Sequence, residues 1–161
     1  MEATISHSAA FWIKRLKLLP HPEGGYYRES YRAQKKAGDR SFLTIIYFLL
    51  EGKQFSRLHR IKSDEVWHFF TGSPVVLSVL DAHGKFEQFI LGDDLEKGET
   101  LQAVASEGAW FGAYLKDTSS YALLTCSVSP GFDFRDLEFG DRQKLITRYP
   151  RYEKLITKLT K

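Results

Sequence analysis

Apolar and polar residues alternate along Ser56-Arg57-Leu58-His59-Arg60-Ile61 and again along Glu65-Val66-Trp67-His68-Phe69-Phe70. A period of two is that of a strand with one face in a core, and both runs are rich in the aromatic and branched residues that strands favour. Lys62-Ser63-Asp64 is a polar turn between them. On this pattern Arg57, His59 and Ile61 share one face; Glu65, Trp67 and Phe69 share one face of the next strand, with His68 opposite. Placed side by side, the two strands bring His59 and Glu65 together beside Trp67. Ser41–Leu50 is the most apolar run and reads as a central strand buried on both faces. Its ten residues also fit a buried helix, but Thr44, Ile45, Ile46 and Tyr47 favour a strand.

Further strands follow at Tyr26–Tyr31, Val75–Leu80, Lys85–Leu91, Thr100–Ala105, Ala109–Leu115 and Tyr121–Val128. Gln34–Arg40 reads as a polar loop, and Gly84 supplies the turn of a hairpin. Many short strands separated by turn signals predict a sandwich or barrel. Residues 8–18 read as a helix capped by Ser8, with Phe11, Trp12, Leu16 and Leu19 near one side, stopped by Pro20 and Pro22. At the other end Asp141 caps a helix to about Arg148, and Pro150 opens another, so a helical tail covers about 141–160.

Composition narrows this picture. A chain of 161 residues, 43% hydrophobic and 14% aromatic, is expected to fold as one domain over 1–161. Its 23 basic and 20 acidic residues are interspersed, so no nucleic-acid partner is expected. The opening residues lack a secretory pattern and no apolar run reaches about 20 residues. No membrane partner is therefore expected, and the cytoplasm is the expected location. The single cysteine, Cys126, excludes an internal disulfide and a Cys-rich zinc site, and reads as a buried small hydrophobe.

Four segments carry a family resemblance: LLPHPEGGYYRESY (18–31), SDEVWHFFTG (63–72), EGAWFGAYL (107–115) and SPGFDFRDLEFG (129–140). Around His59 and Glu65 the spacing resembles the first cupin motif, G-x5-H-x-H-x3,4-E-x6-G. Gly52 stands one residue farther from His59 than the motif asks, and Gly72 closes it. Together the segments resemble cupin family 5. The resemblance implies an all-β double-stranded β-helix, a jelly-roll barrel over about 24–139 with one pocket, and a homodimer as the expected assembly. Many cupins hold a metal with three histidines and a glutamate. Here His59 and Glu65 match two ligand positions, Ile61 stands at the third, and Phe111 replaces the histidine of the second motif. The expectation is a metal pocket turned apolar, with no cofactor.

Three readings of that pocket remain open. Ser56–His59 resembles a strand of deoxysugar-nucleotide epimerases, which implies His59 as base, Glu65 as its orienting partner and Tyr27, Tyr47 or Tyr114 as acid. Proton transfer beside a carbonyl would fit, with Arg57 available to an anionic substrate. A binding module without chemistry would use Trp67, Phe69 and Phe111, with Trp110 as a further candidate, as aromatic walls and Gln102, His59 and Glu65 as orienting groups. The leading expectation joins these: a barrel binding an unidentified small, sugar-like or carbonyl-bearing molecule, with isomerase or epimerase chemistry. The alternatives are a metal-dependent enzyme using His59 and Glu65, and a storage or structural barrel. Glu23 and Tyr27 either line the mouth of the barrel or pin the terminal segments. For Asp133 and Glu138 the structural role is the expectation.

Overall fold

Inward-facing residues of the alternating runs meet between two antiparallel sheets in the computed structural model, which describes residues 7–161. Elements in chain order begin with α1 (Ala9–Leu16), β1 (Leu19–Pro20), β2 (Tyr26–Arg32), β3 (Lys36–Ala37), β4 (Arg40–Ser41) and β5 (Thr44–Glu51). β6 (Phe55–Arg60), β7 (Asp64–Gly72), β8 (Val75–Leu80), β9 (Phe86–Leu91), β10 (Gln102–Ala105), β11 (Trp110–Leu115), β12 (Tyr121–Ser129) and β13 (Glu138–Phe139) follow. The chain closes with α2 (Arg142–Arg148) and α3 (Glu153–Leu159). One sheet has the order β1-β2-β5-β12-β7-β10, the other β13-β6-β11-β8-β9. This is a jelly roll with helices at both ends.

The core between the sheets is large and aromatic, with Phe48, Trp67 and Phe111 all fully buried. Glu65, Trp67 and Phe69 share the inward face of β7 as their spacing predicts, and His68 points outward to Ser127 Oγ at 3.2 Å. Two smaller apolar layers cover the outer faces. α1, capped by Ser8, packs with Leu18 against Leu49 and Leu123, while α2 and α3 lay Leu145, Ile156 and Leu159 on Leu58, Leu80 and Trp110. Asp141 caps α2 as expected, its Oδ1 accepting from Lys144 N at 2.9 Å.

Three local expectations change. β5 is closed on both faces only over Phe48–Leu50, where α1 lies over it; Ile45, Ile46 and Tyr47 remain half-buried. The Gln34–Arg40 loop contains part of the small β3–β4 hairpin. Most consequential, β6 and β7 are not neighbours. The chain crosses from one sheet to the other at Lys62–Ser63, so His59 and Glu65 approach across the barrel interior, not along a ladder.

Candidate functional site

The site begins with the tight turn of the HPEGG segment. Gly24 N donates to His21 O at 3.0 Å, and His21 N donates to Gly25 O at 2.9 Å. Gly24 has φ 113°, a conformation that disfavours side chains, and a Cβ there would stand 2.1 Å from Phe55 O. Only glycine lets the turn lie directly on β6, where Arg57 N donates to Glu23 O at 2.8 Å. That contact delivers the Glu23 side chain into the barrel.

β6 meets it with a bulge. Phe111 pairs with His59 but Ala113 pairs with Ser56, so two residues of β6, Arg57 and Leu58, oppose Gly112 alone. The extra residue breaks the alternation and turns Ser56 and His59 to the same carboxyl group. Ser56 Oγ donates to Glu23 Oε1 at 2.9 Å, and His59 Nε2 lies 3.1 Å from Glu23 Oε2. His59 Nδ1 lies 2.6 Å from Arg57 O, and since a carbonyl only accepts, Nδ1 carries the proton. A neutral His59 therefore presents a lone pair at Nε2, and Glu23 must supply the hydrogen between them.

Electrostatics favour this assignment. His59 is 1% and Glu23 7% exposed. Burial, reinforced by the Arg57 charge and opposed by Glu65, lowers the His59 pKa and keeps the ring neutral. Burial raises Glu23 far above the ordinary carboxylate range, with the Ser56 bond opposing. His21 lies beside them and accepts from Glu23 N at Nδ1, 3.1 Å, so its own proton sits on Nε2. Burial first, then His59, depresses its pKa to about 3.

Glu65 enters from the opposite sheet, 7% exposed. Among the described residues its side chain makes no hydrogen bond or ion pair of good geometry. Burial and then the Glu23 carboxyl raise its pKa; His59, the Cys126 thiol and the Trp67 indole beside it moderate the rise. Trp67 Nε1 is itself buried without a hydrogen-bond partner. Cys126, the anticipated buried hydrophobe, is pushed well up by burial and by both carboxyl groups, which leaves it a thiol.

Glu23, His59 and Glu65 line the inner end of a cavity of about 560 Å³, with His21 and Tyr27 beside them. Its outer parts include Leu19, Arg28, Arg32, Phe132, Asp133 and Phe134. Of the residues singled out from sequence, His59, Glu65, Tyr27 and Glu23 are thus brought together. Trp67 and Phe111 back the site from the core, Phe111 packing on His59 with ring centroids 4.2 Å apart. Phe69 belongs to the same core, farther along β7 from Glu65. Five candidates are placed elsewhere. The bulge turns Arg57 away to stack on Phe139, 4.3 Å from the ring centroid; Tyr47 packs in the outer layer under α1; Gln102 is exposed and donates to His68 Nδ1 at 3.1 Å. Trp110 and Tyr114 face outward, under the C-terminal helices.

The orienting partner expected for His59 also changes: Glu23, not Glu65, touches its ring. Ser56 and His21 were missed by the sequence reading. Asp133 accepts from Arg135 N at 2.8 Å in a turn and also lines the outer part of the cavity, and Glu138 pairs with Arg60 at 2.7 Å.

The donor set does not fit a cupin metal. His59 has both ring nitrogens engaged, Ile61 and Phe111 are buried apolar groups at the other ligand positions, and no cluster of three or more His, Cys, Asp or Glu suited to an ion occurs among the described residues. No helix among them is long and apolar enough to cross a membrane.

A double sheet rolled around one cavity, with its polar groups at the inner end, defines a cupin barrel. The chain belongs to the cupin superfamily group DUF985 (cupin family 5), whose profile matches residues 10–140. A hypothetical protein from Leishmania major is 37% identical with a TM-score of 0.89, covering 96% of this chain and 99% of that one. A protein from Shewanella oneidensis is 34% identical with a TM-score of 0.92, covering 97% and 99%. The fold is also that of oxalate decarboxylase from Bacillus subtilis, at 14% identity and a TM-score of 0.58 over 87% of this chain and 36% of that one.

Proposed function

We propose that the cavity binds a small carbonyl-bearing or sugar-like molecule and that the Glu23–His59 couple moves a proton to and from it, an isomerase or epimerase type of chemistry. The observation that carries this reading is the 3.1 Å contact between Glu23 Oε2 and His59 Nε2, with His59 Nδ1 committed to Arg57 O, at the end of an open cavity. One proton occupies that contact. When Glu23 gives it to the carbonyl oxygen of a ligand, two lone pairs face each other in a buried setting, and the couple becomes avid for a proton. It regains one from the carbon next to the carbonyl, which leaves the enol form of the ligand and restores the couple with no net proton consumed. Return of the proton to a different carbon or face completes an isomerisation. Ser56 holds the carboxyl group in place, and the Tyr27 hydroxyl on the cavity wall is the group available to orient the ligand.

The test is exchange of carbon-bound hydrogen. A panel of aldoses, ketoses and α-substituted carbonyl compounds incubated with the protein in D2O is read by mass spectrometry. The expected result is deuterium uptake by at least one class, reduced about a hundredfold or more in Glu23→Gln and His59→Asn. Uptake that is unchanged in both variants, or no uptake across the panel, contradicts the proposal.

A further inference from the structure

The cavity is polarised by charge from its inner to its outer end. Inside, two carboxyl groups, Glu23 and Glu65, line one space, and among the described residues neither is within 4.0 Å of a lysine or arginine. Glu23 is satisfied by Ser56 and His59. Glu65 has no charged partner: more than nine-tenths buried, it faces the cavity with only the Cys126 thiol and the Trp67 indole beside it. The two arginines of the cavity, Arg28 and Arg32, are exposed and lie at its outer part; Arg32 is already paired with Glu29 at 2.7 Å, while Arg28 donates only to Leu16 O. Between the ends the wall is aromatic, with His21 edge-on to Tyr27 at 4.3 Å and Phe132 edge-on to Phe134 at 5.0 Å. An anionic group at the inner end would face two acids and no cation. A protonated nitrogen there would meet a carboxylate counter-ion and aromatic faces, with the nearby Arg57 guanidinium turned away onto Phe139.

We infer that the ligand is a small amine, its ammonium group seated against Glu65 and the rest of the molecule directed outward along the aromatic wall. The inference rests on the cavity being the ligand site, and it deepens the proposed function by naming the class: an amine-bearing carbonyl or sugar-like compound, with Glu65 as anchor and Glu23–His59 as the proton-moving couple. Burial of an ion pair is favourable here because Glu65 is already desolvated and has no cationic partner among the described residues.

The experiment compares benzylamine, benzyl alcohol and benzoate, three probes of one shape that differ in the charge of the head group, by isothermal titration near pH 7.5. Benzylamine is expected to bind at least about tenfold more tightly than benzoate and than the alcohol. That preference should vanish in Glu65→Gln and persist in Gln102→Ala, outside the cavity, with folding of each variant checked by circular dichroism. Even if Glu65→Gln does not fold, the order of the three probes on the unaltered protein decides. Benzoate or benzyl alcohol binding as tightly as benzylamine overturns the inference, as does failure of all three to bind at about 20 mM. Because this readout is binding alone, it fails separately from the exchange test of the Glu23–His59 couple.

Discussion

A single hydrogen placed by elimination fixes the chemistry of Glu23. Arg57 O can only accept, so His59 Nδ1 donates; His59 Nε2 then accepts, and Glu23 carries the proton. The same logic gives a pH dependence of stability. Folding raises the Glu23 pKa above its unfolded value, about 4.3, so the stabilisation it contributes is complete below that value and is lost as the pH rises through the folded pKa. Glutamine copies the protonated acid, accepting from Ser56 and donating to His59, but does not titrate. Glu23→Gln is therefore expected to gain melting temperature on the parent protein as pH rises from 5 to 9, by about 2–4 °C for each kcal/mol of difference. A gap that closes or reverses with rising pH would contradict the assignment. His21 and His59, lowered by burial, act in the opposite sense below neutrality.

Two irregular elements, the HPEGG turn and the β6 bulge, assemble the site that regular strands alone would not. In a regular β6, Ser56 and His59 would point to opposite faces; the bulge opposite Gly112 turns both toward Glu23. A Cβ at Gly112 would lie 2.8 Å from Ser56 O, so the close approach of β11 at the bulge needs a glycine. Gly24→Ala should be the more damaging substitution, since it combines an unfavourable φ with a collision against backbone. We expect a loss of about 2–4 kcal/mol in urea denaturation, together with loss of deuterium exchange, because Glu23 is displaced from His59. A variant of unchanged stability and activity would show that the turn does not set the position of Glu23.

These elements also mark what could be read from sequence. The strands, both helical ends and the inward face of β7 followed from apolar periodicity and capping residues, because each is a local property of the chain. His59, Glu65, Tyr27 and Glu23 were recognisable as candidates. The partnership of Glu23 with His59 was not, because it joins a turn to a strand 36 residues away through a bulge that periodicity cannot show. Arg57 was placed on the His59 face by the same alternation that the bulge interrupts. Tyr47 and Gln102 were assigned by residue type, without knowing that α1 covers part of one face of β5 or that Gln102 falls on the outer face of the edge strand β10. The HPEGG turn was the available signal for Glu23: a carboxylate just before two glycines, in a segment with no helix to cap and no phosphate-loop spacing.

At the scale of the whole molecule, the two sheets serve to desolvate. They bring Glu65 from one sheet and His59 from the other into one cavity with Glu23, and keep lysines and arginines out of contact with both acids. An aromatic core of Phe48, Trp67 and Phe111 excludes water behind the site, and the C-terminal helices seal the outer face of the sheet that carries His59. The account depends on the state this environment imposes on His59. Its most direct test is nitrogen-15 NMR of the imidazole across pH 5–9. The account predicts a neutral ring protonated at Nδ1 throughout, with no titration near 6.5 and the same tautomer in Glu23→Gln. A ring protonated at Nε2, or one that titrates near 6.5, would contradict it.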